Sequence, residues 1–550
     1  MDKKLKTINK IAKEIGLDYS SIEIYGGDKA KIPLSNFPKS NLENNNSLVV
    51  ITAITPTPAG EGKSTTAIGL TQGLAKIGKK PILTIRQPSL GPVFGNKGGG
   101  TGGGKSTIQP AVDINLHFTG DFHAIESAHN LLAASLDNLV YRKKIDGLEP
   151  QGITLRRVID AQDRGLRNIS MNIGGKFEKE RQNTGFDISS ASEIMAICAL
   201  SNSYDDLRKR LENIIVGWTV DNMPVFAKST GCIGSLMALL KDALKPNLVQ
   251  TSEGQPAIVH MGPFGNIAHG CSSILADELA SVCGDFVITE AGFGADLGFQ
   301  KYMDIKVRQG GLYPKCAVIV VTIKGLKWHG GINPESLNLK NSEAIIKGSE
   351  NLKNAIRIVK LYGLPAMVAI NKFTSDSVDE IELIKELSKN YGADGCDVSD
   401  GYNLGGNGVK DLAESILNIC SQNNTTPKLL YENNVPIVDK VEIMAKNIYK
   451  AKKVEWSNDA QNSIKTIEYN NFNYPICMAK THLSVSSNPK LRGMPQDHTL
   501  PIKKIKILSG AQQIVTLAGN IITLPGLPDS PNANKIDLNS KGEIKGILST

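Results

Sequence analysis

The chain has 550 residues, of which 41% are hydrophobic and 21% are charged, and 62 basic against 54 acidic residues give it a formal net charge of +8. This length exceeds what one hydrophobic core can hold, and this composition excludes a disordered or fibrous chain. The mild excess of basic residues favours anionic small-molecule substrates and gives no reason to expect nucleic acid as a partner.

The eight cysteines are scattered without a Cys-X-X-Cys pair. This pattern favours reduced thiols over disulfides or a zinc site. The N-terminal segment lacks the apolar core of a signal peptide, and no apolar run reaches the length of a membrane span. We therefore expect a cytoplasmic protein with no membrane partner.

Hydrophobic periodicity predicts helices and buried strands that alternate along the chain. The predicted helices cover, in chain order, residues 7–15, 65–77, a charged stretch around 156–167, and 341–362. The predicted strands and extended segments cover residues 29–34, 48–54, 81–85, 256–261, 285–290, 317–323, 365–371, 505–508 and 513–517. Such alternation is typical of an α/β fold with a doubly wound, mostly parallel sheet.

The first chemical motif follows the apolar run 48–54, where a turn with two glycines leads into Lys63, Ser64 and a predicted helix. Strand, glycine-bearing turn and helix in this order form a phosphate-binding loop (P-loop), because the N–H groups of the turn and of the helix N-terminus converge on one spot. We expect Lys63 to contact the β- and γ-phosphates of a nucleotide, and Ser64 to bind their Mg²⁺. The usual first glycine of the motif is replaced here by Thr57.

This motif makes the expected fold P-loop NTPase-like. We predict a nucleotide-binding domain over residues 1–360 that ends in a long linking helix. Two smaller C-terminal domains are expected to follow, a second α/β domain over residues 361–455 and a C-terminal domain over residues 456–550.

The predicted strand 81–85 is followed by Arg86. Ligands of open α/β sheets bind beyond the carboxyl ends of the strands, so Arg86 is expected to reach the same phosphates as Lys63. The next segment, 95–105, contains six glycines in seven positions between Lys97 and Lys105. Two interpretations stay open, a flexible surface loop and a mobile cover whose backbone lies against a ligand, and the nearby phosphate site favours the cover.

A segment dense in titratable groups comes next. His117, His123 and His129 are six residues apart, which matches no standard metal signature, and a structural hydrogen-bonding role is favoured for each histidine. A water-mediated Mg²⁺ contact from Asp113 or Asp121 is the alternative.

Three later loops, 260–270, 290–298 and 400–408, each combine several glycines with an aromatic residue. The first two lie at the ends of predicted strands. Such loops suit a planar ligand that lies between backbone and ring, although a Gly-Phe loop is just as often ordinary structure.

Several stretches together resemble the formate–tetrahydrofolate ligases in order and spacing. They are residues 57–65 (TPAGEGKST), 86–95 (RQPSLGPVFG) and 113–121 (DINLHFTGD), and the similarity continues through 262–271, 290–298 and 369–373. The resemblance covers nearly the whole chain, and Thr57 in place of the usual glycine is part of that family's pattern.

The resemblance implies an ATP-dependent enzyme that joins formate to tetrahydrofolate and gives 10-formyltetrahydrofolate, ADP and phosphate through a formyl phosphate intermediate. Lys63 and Arg86 are then the expected catalytic residues, and Ser64 and Thr65 the expected Mg²⁺ ligands. The residues expected to contact ATP are Thr57, Pro58, Ala59, Gly60, Glu61, Gly62, Lys63 and Ser64. The resemblance also implies a homotetramer and stimulation by a monovalent cation, K⁺ or NH₄⁺.

For the folate, the resemblance implies contacts with Gln87, Phe293, Phe373 and Tyr402. Members of the family stack the pterin between a Phe, matched by Phe373, and a Trp, which is replaced here by Tyr402. A tyrosine can still stack, with less area. Gly265 stands where members often have alanine.

Two other functions are weighed against the ligase. The first is a partner-binding regulatory ATPase of the P-loop group that includes the nitrogenase iron protein, which would leave the aromatic loops at Phe293, Phe373 and Tyr402 without a purpose. The second is a folate-binding relative that lost its chemistry through the changes at Tyr402 and Gly265.

Overall fold

The computed structural model describes residues 5–38, 47–58, 60–174, 181–422 and 426–547. Its α-helices are α1 (Ile8–Glu14), α2 (Lys63–Lys76), α3 (Leu90–Phe94), α4 (Ala111–Asn115), α5 (Asp121–Tyr141), α6 (Glu193–Leu200), α7 (Tyr204–Glu212), α8 (Ile233–Leu240), α9 (Ile274–Cys283), α10 (Ile323–His329), α11 (Ser342–Leu361), α12 (Val378–Asn390), α13 (Gly401–Leu404), α14 (Lys410–Gln422), α15 (Ile437–Asn447) and α16 (Asn458–Tyr469).

The β-strands are β1 (Glu23–Ile24), β2 (Ala30–Lys31), β3 (Ser47–Ala53), β4 (Pro81–Ile85), β5 (Gly102–Gly103), β6 (Ser106–Gln109), β7 (Arg157–Ile159), β8 (Ile169–Met171), β9 (Gln182–Thr184), β10 (Phe186–Ile188), β11 (Ile215–Trp218), β12 (Pro224–Phe226), β13 (Asn247–Thr251), β14 (Pro256–Val259), β15 (Phe286–Glu290), β16 (Cys316–Val321), β17 (Ala366–Asn371), β18 (Gly395–Ser399), β19 (Lys453–Trp456), β20 (Ile476–Ala479), β21 (Thr499–Ile502), β22 (Lys504–Leu508), β23 (Gln513–Leu517), β24 (Asp537–Leu538) and β25 (Ile544–Lys545).

A large mixed sheet organises the molecule, with the strand order β1-β2-β13-β14-β4-β15-β3-β16-β17-β18 and the hairpin of β5 and β6 attached through β13. From β14 to β18 every neighbouring pair is parallel, whereas β1, β2 and β13 pair antiparallel at the other end. The α/β class and the mostly parallel sheet are thereby confirmed. Smaller sheets follow near the C-terminus, where β19 pairs with β21, and β23 with β20 and β22.

The five central strands β4, β15, β3, β16 and β17 are buried at every residue, which explains why they read as continuous apolar runs. Their side chains alternate between two cores. Val50 packs in one core with α9 and α11, and Val49 and Ile51 pack in the other with α2 and α14. Helices on both faces therefore hold the sheet in a single register, because a one-residue slip would exchange the two faces.

Most of the predicted elements are confirmed, including the helices 7–15, 65–77 and 341–362 and all the strands predicted for the central sheet. The helix predicted around 156–167 is wrong. That stretch forms β7, paired with β10, and then a 3₁₀ turn at which Asp163 accepts a hydrogen bond from the N–H of Gly165. Arg156 forms an ion pair with Asp187 on β10, and Arg157 forms one with Asp137 on α5.

The large sheet continues across residue 360, because β17 pairs with β16 and β18 pairs with β17. Within the part of the chain that the structure describes, no helix has both the length and the apolar character needed to cross a bilayer.

Behind the central strands lies a buried ion pair between Asp277 of α9 and Lys306, with 2.6 Å between Oδ2 and Nζ and no exposure of either side chain. The hydroxyls of Thr84 on β4 and Thr289 on β15 donate to the other oxygen of Asp277. This network ties α9 to the two strands that carry the candidate site described below.

We predict that Lys306→Met destabilises the protein by about 3–5 kcal/mol, because it leaves the Asp277 carboxylate buried without its counter-charge. Urea unfolding followed by circular dichroism measures the effect. The matched control is Lys385→Met, which breaks an exposed pair with Glu382 and should cost less than about 1 kcal/mol. Equal losses for the two variants would contradict this prediction.

Candidate active site

Three groups meet at the carboxyl edge of the central sheet. The strands β4, β15 and β3 are neighbours and run parallel, and they end respectively at Arg86, at Glu290 and at the glycine-bearing loop 54–62. Neighbouring strands are about 4.8 Å apart. The expected convergence of Arg86 on the loop that precedes Lys63 therefore follows from the strand order, and Glu290 stands between them.

The loop after β3 needs its glycines. Gly60 and Gly62 have φ of +75° and +71°, in the left-handed region that favours glycine, and α2 begins at Lys63 directly afterwards. A Cβ on Gly62 would lie 2.2 Å from the side-chain nitrogen of Asn371, which donates a hydrogen bond to the carbonyl of Glu61. The turn thus brings the free N–H groups of the first helical turn to the edge of the sheet. Ala59 lies outside the described residues.

Thr57 stabilises this loop in a way that glycine could not. Its N–H and its hydroxyl both donate to Oε1 of Glu61, at 3.1 and 2.8 Å, and the hydroxyl of Thr322 donates to Oε2 at 2.9 Å. Burial raises the pKa of Glu61, and these hydrogen bonds oppose the rise. Thr57 is absent from the described residues with positive φ, so the position has no need of glycine.

Three cations lie around this edge without a carboxylate within 4 Å in the described residues: Lys63, Arg86 and Lys97. Arg86 donates from Nη1 to the carbonyl of Pro263 at 2.9 Å, and its Nε has no partner. Burial lowers the pKa of Lys63; Glu290 raises it and Arg86 lowers it further. Glu290 is buried, and its Oε1 accepts no hydrogen bond from the described residues. The cleft therefore carries more positive than negative charge.

Phe293 borders the same cleft in a strained conformation, with φ of +61°, and strained backbone is concentrated at functional sites. The imidazole of His482 stacks on its ring, with 4.6 Å between centroids and 23° between planes. Nζ of Lys97 is 4.9 Å from the ring centroid. A Cβ on Gly265 would approach Cδ2 of Phe293 to 3.0 Å, so the glycine at this position gives the ring its space.

Phe373 and Tyr402 lie at the ends of β17 and β18, with 39% and 46% exposure. The side chain of Tyr402 contacts Gly103, which in turn lies beside Thr65. Because β3 and β16 stand between β15 and β17, the strands that precede Phe293 and Phe373 are about 14 Å apart at the usual strand spacing. Phe373 and Tyr402 therefore follow two neighbouring strands, β17 and β18. Gln87 and Phe293 follow β4 and β15, which lie on the other side of β3.

The glycine-rich segment is fixed by contacts within the chain. The strand β5 pairs with β6, and the N–H of Gly100 donates to Asn115. A Cβ on Gly102 would lie 2.2 Å from the carbonyl oxygen of Ser106, and a Cβ on Gly104 would lie 2.2 Å from that of Tyr402. These glycines allow close packing of backbone on backbone, which disfavours the flexible surface loop.

The carboxylates of Asp113 and Asp121 form ion pairs. Asp121 is buried with Lys31 and is therefore not available to Mg²⁺, whereas Asp113 pairs with Lys29 through Oδ2 and keeps a half-exposed side chain. The structural role expected of the histidines is met by His129, whose ring nitrogens bond to Ser192 and to the carbonyl of residue 156, but not by His117 and His123, which are exposed. Among the described residues no group of three or more His, Cys, Asp or Glu side chains could hold a metal ion.

Sequence reasoning assigned no role to Glu290, Lys97 or His482. An acidic residue that ends a buried apolar strand next to β3 is a signal that could have identified Glu290. His482 had no such signal, because it reaches the cleft from a segment about 190 residues beyond Phe293 in the chain. Burial, Lys97, Lys480 and Lys63, in this order, lower the pKa of His482 to about 4, so it lines the cleft as a neutral ring.

We predict that Thr57→Gly, which restores the usual P-loop residue, weakens ATP binding about tenfold, because buried Glu61 loses a donor and the loop loses its tie. Thr57→Ser keeps the hydroxyl and is the matched control. Isothermal titration calorimetry with ATP measures both affinities, and a glycine variant that binds ATP as tightly as the serine variant would contradict the role of this hydroxyl.

Comparison with known proteins identifies the family of the chain. The family model described as "Formate--tetrahydrofolate ligase" matches residues 1–548. A protein of Pelagibacter ubique (strain HTCC1062) named "Formate--tetrahydrofolate ligase" is 46% identical over 549 residues, which cover 99% of this chain and 98% of the relative. The chain therefore belongs to the formate–tetrahydrofolate ligase family.

Proposed function

We propose that the cleft between the loop 54–62, Arg86 and Glu290 is where this chain joins formate to tetrahydrofolate at the expense of ATP. As a member of its family the chain is an ATP-dependent formate–tetrahydrofolate ligase. The observation that supports this cleft as the reaction site is the convergence of three unpaired cations and a helix N-terminus at the carboxyl edge of a parallel sheet.

The proposed ATP site is a P-loop formed by residues 57–64 and the first turn of α2. In the first step a formate oxygen attacks the γ-phosphorus, the bond to the β-phosphate oxygen breaks, and formyl phosphate and ADP result. Negative charge spreads over the oxygens of the transferred phosphoryl group, so positioned cations supply most of the acceleration. Lys63 is the point charge, and Arg86 is the forked clamp on the transferred group.

The side chains around the proposed ATP site suit Mg²⁺, because they offer the oxygen ligands that this ion prefers. The hydroxyls of Ser64 and Thr65 stand at the start of α2, and Oε1 of Glu290 has no hydrogen-bond partner among the described residues. Ser64 and Thr65 are the proposed ligands. When bound, the ion would neutralise charge on the β- and γ-phosphates.

In the second step N10 of tetrahydrofolate attacks the formyl carbon, inorganic phosphate leaves, and N10 loses its proton. Phe373 and Tyr402 are the proposed walls for the pterin. Phe293 and Gln87, which lie with the cations, are proposed to border the reacting end of the folate. Tyr402 offers less stacking area than the tryptophan it replaces.

The division into three domains near residues 360 and 455, the homotetramer, stimulation by K⁺ or NH₄⁺ and a cytoplasmic location stay predictions. Size-exclusion chromatography with light scattering tests the homotetramer, and activity in K⁺ against Na⁺ buffers tests the cation.

We predict that the purified protein releases ADP rapidly only when formate and tetrahydrofolate are both present. Lys63→Met and Arg86→Ala should each lower this turnover about 10³-fold, because each removes a charge that stabilises the transferred phosphoryl group. Lys347→Met, an exposed change on α11, is the control and should keep full activity. ADP release that ignores both co-substrates would instead favour the regulatory ATPase.

We predict that Tyr402→Ala raises the KM for tetrahydrofolate about tenfold and leaves the dependence on formate unchanged, because a lost aromatic stack costs about 1–1.5 kcal/mol. Tyr402→Trp restores the ring area and should lower that KM below the value of the natural chain. Steady-state kinetics with varied folate measure both effects. An unchanged KM for both variants would remove Tyr402 from the folate site.

A further inference from the structure

Lys97 has an unusual environment at the start of the glycine-rich segment. Its backbone N–H donates a hydrogen bond to the carbonyl of Pro92 at 3.2 Å. Its side chain lies in the cleft among protein atoms, and solvent still reaches it. Its Nζ lies over the ring of Phe293, at 4.9 Å from the centroid. No carboxylate of the described residues lies within 4 Å of it.

The charges that face Lys97 are positive. Burial, Arg86 and Lys63, in this order, lower the pKa of Lys97 to about 8, and His482 on the other flank of Phe293 is neutral above pH 5, with a pKa of about 4. Two anions oppose them, Glu290 and, more weakly, Glu61. With three cations against two carboxylates, the cleft carries more positive than negative charge.

Such an excess disfavours the empty cleft and favours an anionic ligand. A cation–π contact at an accessible site compensates Lys97 only weakly. A charge-assisted bond to a phosphoryl oxygen is stronger and shorter. The flexible side chain of a lysine on an accessible segment can exchange the first contact for the second without moving the backbone.

We propose that Lys97 is a third catalytic cation, which rests on the Phe293 ring in the empty cleft and moves onto the γ-phosphoryl group when ATP binds. This inference rests on the proposed reaction site. The ammonium then shares the charge of the transferred phosphoryl group with Lys63 and Arg86. The same movement exposes the face of Phe293 that it covered, so phosphoryl binding prepares the ring for the second substrate.

The proposal predicts a selectivity for the γ-phosphoryl group. Binding of the β,γ-imido analogue of ATP and of ADP, each with Mg²⁺, is measured by isothermal titration calorimetry on the full chain. Lys97→Met should weaken the imido analogue about 10- to 100-fold and ADP less than threefold, because ADP lacks the group that Lys97 binds. Lys97→Arg should recover most of the affinity.

The control is Lys80→Met, which removes an exposed lysine next to β4 at the amino end of the strand, opposite Arg86. It should change neither affinity. If Lys97→Met weakens both ligands equally, or neither, the assignment is wrong and Lys97 only anchors the glycine-rich segment on Phe293.

A second measurement is the number of protons that the protein takes up when the imido analogue binds. Because the pKa of Lys97 is lowered in the empty cleft, a growing share of these side chains is neutral as the pH rises above about 8, and an anion bound beside them restores the charge. The imido analogue should therefore drive more proton uptake at about pH 8.5 than at about pH 6.5, where Lys97 is already charged. Calorimetry in buffers of different ionisation enthalpy measures the uptake.

Lys97 accounts for the difference in proton uptake between the natural chain and Lys97→Met. Equal uptake by the two proteins overturns the proposal. Failure of the proposed function gives a different result. ADP release would then be independent of formate and folate, while Lys97→Met would still weaken binding of the imido analogue selectively.

Discussion

The parallel pairing of β4, β15 and β3 is the constraint on which the site depends. These strands are buried on both faces, so their side chains alternate between two cores and their register is fixed. In that register Glu290 is level with Ile51, only a few residues before the glycine-bearing loop, and Thr84 is level with Thr289. The positions of Arg86, Glu290 and Lys63 relative to one another are therefore consequences of core packing.

The cleft itself opposes stability. Lys63, Arg86 and Lys97 repel one another, Glu290 is buried with an unbonded oxygen, and Phe293 is held with positive φ. Each feature costs free energy in the empty protein. The surrounding core offsets these costs, because the five central strands are buried at every residue. A site that is unfavourable when empty becomes favourable when a phosphoryl anion fills it, which is the behaviour expected of an active site.

Much of this arrangement could be predicted from the sequence, because continuous apolar runs and glycine-bearing turns are local signals. The strand order that joins Arg86 to the loop follows from the general rule for parallel sheets. The role of Thr57 could not be predicted, since Glu61 is tied to Thr322, which is 261 residues distant in the chain. The structure of the stretch 156–167, for which the sequence predicts a helix, could not be predicted either, because tertiary ion pairs and the pairing of β7 decide it.

The two aromatic groups of the site have separate consequences for the reaction. Phe293 shares its surroundings with Lys97 and Arg86, whereas Phe373 and Tyr402 lie beyond the loop, past β16. A change at Tyr402 alters the area available for stacking at a distance from the charges that act on the phosphoryl group. Under the proposed assignment of Tyr402 to the folate site, its smaller ring affects how tightly the second substrate is held, while the proposed phosphoryl-transfer residues lie past β16 from it.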